Sequence, residues 1–377
     1  MPTIFTRGAA SARGFGLFGA AAGGPALWSW GYGNAGRLGL GNVTNYSSPK
    51  QVGTLVTWSK LPTGAGGAPN AFAIKTDGTL WAWGNNAAGQ LGLGNVTSYS
   101  SPKQVGALTT WATVTASRYC TFAIKTDGTL WSWGGSNFGQ LGLGNVTSYS
   151  SPKQIGALTT WSKVAGGSTH AVALKTNGTL WSWGRNQAGQ LGLSNTTYYS
   201  SPKQVGALTT WSTLGDGYRQ ASSAIKTDGT MWSWGSNQRG QLGLGNTTDY
   251  SSPKQIGALT TWSKVTAGRL FGLAIKTDGT LWSWGYNYRG QLGLGNITDY
   301  SSPKQVGALT TWSKVSGGFQ STVAIKTDGT LWAWGNNYAG QLGLGNTTSY
   351  SSPMQVGALT TWSAAVAGPA FLLAIKI

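Results

Sequence analysis

Acid–base and covalent catalysis need paired carboxylates, or a histidine or cysteine with a partner, and this 377-residue chain is poor in all of them. Its eight acidic residues are all aspartates, and His170 and Cys120 are its sole histidine and cysteine. Five aspartates, Asp77, Asp127, Asp228, Asp278 and Asp328, fall in Lys-Thr-Asp-Gly phrases that read as hairpin turns. Asp249 and Asp299 follow Gly-Asn-x-Thr segments without the spacing of a calcium loop. His170 reads as a rim residue, and Cys120 as a thiol to which the sequence assigns no base; no intrachain disulfide can form. The G-x-G-x-x-G at Gly14, Gly16 and Gly19 has no strand before it and no acid after it until Asp77, so it does not read as a dinucleotide site. The recurring Gly-Gln-Leu-Gly-Leu-Gly-Asn lacks the Lys-Ser/Thr ending of a phosphate loop, and Asn-x-Thr sites such as Asn95 read as turns. A non-enzyme without metal or cofactor is expected.

What remains is cationic and aromatic chemistry. Lysine and arginine number 26 against eight acids, a net charge of +18 in a chain only 9% charged, which points to an anionic ligand: acidic glycan, nucleic acid or acidic protein. No apolar run reaches the roughly 18 residues of a membrane span.

The elements that must carry these groups are written seven times. Trp-x-Trp-Gly phrases begin at Trp28, Trp81, Trp131, Trp181, Trp232, Trp282 and Trp332, and a third tryptophan of each copy opens a WSKV-like segment, as at Trp111. All 21 tryptophans are thereby placed. In one copy, 111–114 reads as strand A, 122–125 as strand B, 130–134 as strand C and a segment around 152–155 as an edge strand D that tolerates Pro152. Asp-Gly between B and C predicts a type I′ hairpin. Four antiparallel strands at a period near 50 predict an all-β, seven-bladed propeller of four-stranded blades. The first copy lacks A and B and the last segment stops after them, so C-terminal A and B strands should pair with N-terminal C and D strands and close the ring. The expected organisation is a Gly/Ala-rich arm over 1–26, not read as a signal peptide, and a propeller over 27–377.

Differences among the copies locate the binding residues. Length and sequence vary in the A–B hairpin and at the start of the C–D loop, which emerge at the same end of an up-and-down blade. Seven of nine arginines fall there, Arg37, Arg118, Arg185, Arg219, Arg239, Arg269 and Arg289. With them come Tyr119, Phe138, Tyr218, Phe271, Tyr286, Tyr288, Phe319 and Tyr338. Arginine and tyrosine offer large contact area, cation–π contacts and forked hydrogen bonds, so this face is the expected binding face. The lysines instead repeat at fixed positions, such as Lys125 and Lys153, and are expected to form solvated rings.

The phrase W-G-x-N-x-x-G-Q-L-G, whole at Trp83–Gly92 and Trp334–Gly343, resembles the regulator of chromosome condensation repeat family over 27–377. The resemblance implies the same seven-bladed fold. It spreads over several functions, among them guanine nucleotide exchange, chromatin binding and inhibition of an enzyme. In the exchange factor a short β-wedge inserted in one blade is implicated in releasing nucleotide; no copy here has an insertion longer than three residues, so that feature has no counterpart. The near-identity of the copies and the Gly/Ala-rich arm lead to a first expectation of a virion surface, fibre or decoration component of a tailed phage, docked to a larger protein assembly by residues 1–26. The alternative is a cytoplasmic regulator of a small GTPase or of chromatin, or an enzyme inhibitor.

Overall fold

Alternation along a strand accounts for the blade. In strand C of the third blade, Leu130–Gly134, Trp131 and Trp133 lie on one side, and Leu130 and Ser132 on the other. Strand A, Trp111–Ala116, adds Trp111 to the tryptophan side, its ring meeting Trp131 edge-on at 6.2 Å and Trp133 at 6.0 Å. That indole surface packs on Phe72, Ile74 and Leu80 of the preceding blade, so successive sheets stack face to face around an axis.

The structure, a computed structural model, describes residues 24–64, 68–216 and 219–377. Its sheets are seven, each with four antiparallel strands in the order A-B-C-D. Strand A is innermost: the Thr115 hydroxyl donates to the Val164 carbonyl of the next A strand at 2.9 Å. Strand D is the exposed outer edge. Closure is as the chain ends require. Phe371–Lys376 pairs with Ala26–Gly31 in an unbroken register from Ala26 opposite Lys376 to Gly31 opposite Phe371, with Trp362–Ala367 and Tyr46–Gln51 flanking them. Residues 1–23, most of the expected arm including Gly14, Gly16 and Gly19, lie outside the described residues.

Three local expectations are corrected. Strand D of the third blade runs Tyr149–Gln154, so Pro152 sits within the edge strand rather than at its start. The B–C hairpin is a type I turn closed by a glycine bulge, not type I′: Gly128 N donates to Lys125 O at 3.0 Å, and of the turn residues only Gly128 has positive φ, at 77°. The reason is the Asp127 carboxylate, which accepts from the Thr129 amide at 2.9 Å and its hydroxyl at 2.7 Å and so keeps Asp127 right-handed. Those donors hold its pKa below the usual carboxylate range. Thr129 Oγ1 in turn accepts from Trp131 Nε1 at 2.8 Å, and Asn177 makes the same contacts in the fourth blade.

The lysines of this turn are likewise not simply solvated. Lys125 Nζ sits 3.8 Å from the Trp131 ring centroid and 5.4 Å from that of Trp111, a cation–π lid worth about 0.5–1 kcal/mol where exposed. Lys153 on strand D similarly lies 5.4 Å from Tyr149.

Candidate functional site: the loop face

Register decides which loops share an end. Cys120, the first residue of strand B, and Tyr149, the first of strand D, both lie opposite Gly134, the last of strand C. The A–B hairpins and C–D loops therefore emerge together, and Arg118 of a hairpin shares a face with Arg289 of a C–D loop.

The C–D loops are frames, not floppy connectors. In the second blade Asn86 Oδ1 accepts from Leu91 N at 2.8 Å, while its Nδ2 donates to the carbonyls of Asn95 at 2.9 Å and Thr97 at 3.0 Å. Gln90 Oε1 accepts from Ala88 N at 2.8 Å. Asn287 ties its loop the same way, fixing the backbone from which Tyr286, Tyr288 and Arg289 project.

On these frames six of the seven arginines rest on aromatic rings. The distances from guanidinium carbon to ring centroid are 4.9 Å for Arg37 over Tyr32, 5.2 Å for Arg118 over Tyr119 and 4.9 Å for Arg185 over Phe138. They are 5.3 Å for Arg239 over Tyr286, 4.0 Å for Arg269 over Phe319 and 5.0 Å for Arg289 over Tyr288. Tyr286 and Tyr288 stack at 6.4 Å and 14°, giving one continuous pile, Arg239–Tyr286–Tyr288–Arg289, across blades five and six. Arg239 also lies 3.8 Å from Asp299, the one ion pair among the described residues. A planar cation held on a ring loses less entropy on binding than a free side chain.

The face is grooved between blades. Arg219, Arg239 and Leu270 line a pocket of about 250 Å³ with Phe271. Tyr119, Phe138, Arg185 and Thr169 line a shallower one of about 600 Å³. Tyr338, 61% exposed, sits where blade seven meets blade one. Partial burial pulls the neighbouring Arg37 guanidinium below its ordinary value.

Two expected site residues need comment. Phe271 is only 1% exposed and belongs to the core, so it supports the pocket instead of meeting a partner broadly. Tyr218 lies outside the described residues, next to Arg219, whose φ of 60° is rare for a residue with a side chain. Tyr32 and Tyr198 were missed. Tyr32 occupies the template position of Tyr286, and Tyr198, whose ring meets Phe138 at 5.9 Å, replaces the serine found at Ser98 and Ser148. Comparing the copies at those two positions would have found both.

The histidine and cysteine considered for catalysis each open a strand B and lie buried beneath the loops of this face. His170 is fully buried, not a rim residue. Its Nε2 lies 2.9 Å from Ser222 Oγ, whose own hydroxyl donates to the Gln190 carbonyl at 2.9 Å, so Nε2 carries a proton and donates. Burial pulls its pKa down to about 4. Burial pushes the Cys120 thiol up to about 12. Desolvation raises the Asp216 carboxyl to about 7, although it accepts from Thr266 Oγ1 at 3.2 Å. Among the described residues no three His, Cys, Asp or Glu side chains gather as a metal site, and no helix is long and apolar enough to cross a membrane.

The RCC1-like domain model matches residues 17–268, and the regulator of chromosome condensation (RCC1) repeat matches 278–325 and 328–375. Two curated relatives align locally: the X-linked retinitis pigmentosa GTPase regulator of Canis lupus familiaris, 34% identical over 79 residues, and the protein RCC2 homolog of Xenopus laevis, 38% identical over 80. Each alignment covers 21% of this chain, but only 8% of the first relative and 15% of the second. Human WBSCR16 superposes with a TM-score of 0.82 at 20% identity, over 93% of this chain and 98% of that one. Prp20p of Saccharomyces cerevisiae, whose structure is described with its binding to Gsp1p and histones, gives 0.83 at 20% identity, over 94% and 92%. At such identity these structures establish the fold.

Proposed function

The chain belongs to the RCC1-like domain family, and on that premise we propose that it is a regulatory binding propeller that recognises an acidic protein surface through its loop face. The observation that carries this reading is the concentration of ring-mounted arginines at one end of the disc, with Asp299 the sole acid ion-paired to them among the described residues. The relatives quoted above point the same way, toward regulators that work by contacting proteins: one is a GTPase regulator by name, and the yeast structure is described with Gsp1p. A regulator of this kind acts by binding and not by bond chemistry, and the cytoplasmic location goes with it. The test is a binding screen of the full chain against a panel of small GTPases and acidic proteins, with nucleotide release followed in parallel. Arg239→Ala with Arg289→Ala should weaken the interaction at least tenfold, and a steep loss of affinity with salt should accompany it. Unchanged affinity in the double variant would remove the loop face from recognition.

A second reading, a virion surface component docked through residues 1–26 and reading an acidic glycan or nucleic acid, rests on the near-identity of the seven copies and the Gly/Ala-rich arm. It requires that deletion of residues 1–26 abolish incorporation into a particle while leaving the propeller folded.

A further inference from the structure

The innermost strands carry a second set of cations that the repeat pattern does not impose. The third residue of each strand A runs, in order round the axis from the second blade, Lys60, Thr113, Lys163, Thr213, Lys264, Lys314 and Ala364. Trp111 and its equivalents, two residues earlier, are constant in these strands, whereas this position varies between lysine, threonine and alanine. It lies toward the B–C turn end of the blade, since Thr113 pairs with Ile124 next to the turn. All four lysines are exposed, at the end of the disc opposite the arginine face.

Their ammonium groups are aimed round the axis by a repeated contact. Lys60 Nζ donates to the Ala112 carbonyl at 2.9 Å and Lys163 Nζ to that of Ser212 at 2.6 Å, while Lys264 and Lys314 donate to the carbonyls of Ser313 and Ser363. Each thus reaches the next A strand, so the four charges are distributed round the turn-side mouth of the central channel that a propeller's innermost strands surround. A carbonyl satisfies one N–H of an ammonium and cancels none of its charge. None of the four has a carboxylate within 4 Å among the described residues, and burial together with the nearby Lys314 charge lowers the Lys264 pKa. Further along strand A the Thr63 and Thr115 side-chain oxygens lie 2.5 Å apart, joining the second and third blades. Four ammonium groups on the innermost strands, each leaning toward the next blade and none ion-paired among the described residues, suit a multivalent anion small enough to touch several blades at once.

We propose that the turn-side mouth of the central channel is a binding site for a compact oligophosphate, held by Lys60, Lys163, Lys264 and Lys314. The shared chemistry is a run of closely spaced phosphoryl groups, whether free or as the tail of a nucleoside triphosphate.

Calorimetric titration of the full chain separates these. Inorganic tripolyphosphate is expected to bind with one-to-one stoichiometry, and Lys264→Ala with Lys314→Ala to weaken it at least tenfold. The fold tolerates alanine here, because Ala364 already occupies the position in the closing blade. Lys103→Ala with Lys153→Ala, which removes two charges from the outer strands, should change affinity less than twofold. Adenosine triphosphate binding as tightly as tripolyphosphate would identify the nucleotide tail as one source of the ligand, and weaker binding would favour the free anion. Equal losses in both double variants, or a stoichiometry of several tripolyphosphates per chain, would overturn the proposal in favour of diffuse charge attraction. Preference for a 20-nucleotide single-stranded DNA that survives Lys264→Ala with Lys314→Ala would overturn it as well.

Discussion

The indole Nε1 of Trp133 donates to the carbonyl oxygen of Gln90 at 2.9 Å, across the boundary between two blades. The same bond runs from Trp183 to Gln140, from Trp234 to Gln190, from Trp284 to Gln241, from Trp334 to Gln291 and, closing the ring, from Trp30 to Gln341. In the second blade Trp83 donates to Arg37, which stands where the other copies have glutamine. Each C–D loop is thus tied to the body of the next blade, so the stiffness of the binding face and the packing of the core share one set of contacts.

Trp133→Phe tests that link. It removes a buried hydrogen bond and leaves part of the indole volume empty, costs of about 1 and 1–2 kcal/mol respectively, so urea unfolding should show a loss of about 2–3 kcal/mol. The half-exposed Trp131, whose Nε1 reaches only Thr129 Oγ1, should lose about 1 kcal/mol on the same substitution. A further check is Gly92→Ala: Gly92 has φ of 76°, and a Cβ there would lie 2.7 Å from Trp133 Nε1, so the variant should be destabilised by about 2 kcal/mol or more.

The Arg239–Tyr286–Tyr288–Arg289 pile makes a separate prediction about binding. Tyr286→Phe keeps the ring on which Arg239 lies and should leave partner affinity within a factor of two. Tyr286→Ala frees the Arg239 guanidinium and unstacks Tyr288, and a loss of about tenfold, roughly 1.4 kcal/mol, is expected from restored side-chain entropy and lost contact area. The measurement is affinity with thermal stability alongside, since both rings are surface features and the melting temperature should barely move.

Much of this was legible in the chain. Period-two tryptophans and complementary ends give the blade, the blade number and the closing strands, because a propeller repeats its own local rules seven times. The turn type was not, since Asp-Gly suits two kinds of hairpin and only the Thr129 contacts to Asp127 choose between them. The lysine lids follow from register: Lys125 faces Trp111 and lies diagonally from Trp131, a relation invisible until the strands are paired. Copy-to-copy variation found the arginines, but not which ring each would rest on. The Arg239–Tyr286 and Arg269–Phe319 pairs cross between blades, and no spacing in the sequence encodes how far one loop leans toward the next. Burial of His170 was missed because its position at the end of a hairpin looks like rim, whereas Ser222 and the next blade cover it.

That burial makes stability depend on pH with a definite sign. The folded-state pKa of His170, about 4, lies below the ordinary 6.5, so the unfolded chain binds its proton more readily. Stability from the neutral imidazole is therefore complete above pH 6.5 and is lost as pH falls through 4, by about 3 kcal/mol in full. Asp216 works in the opposite sense: its pKa is raised from 3.8 to about 7, so its contribution is present below pH 3.8 and lost as pH rises through 7. Comparing the parent chain with His170→Gln isolates the first term. The difference in unfolding free energy between pH 7 and pH 4 should shrink by up to about 3 kcal/mol in the variant, and an unchanged difference would show that His170 is charged or solvated in the native state.

Cys120 offers a readout of opening that needs no engineered probe. Its thiol is buried and pushed up to about 12 by that burial, so in the native state it presents neither thiolate nor access. It begins strand B of the third blade, opposite Gly134, and can be reached only when the A–B hairpin lifts away from strand C. Labelling with a thiol reagent at pH 8 should therefore be slow in buffer, and at low urea its rate should track the free energy of opening and not the reagent's own chemistry. If Arg118 and Tyr119 beside it bind a partner, saturating partner should slow the labelling further by holding that hairpin down, while a partner bound at the turn-side mouth should leave the rate unchanged. Fast labelling of the native protein would mean that the hairpin opens freely, and the third blade's part of the arginine face could not then be preorganised.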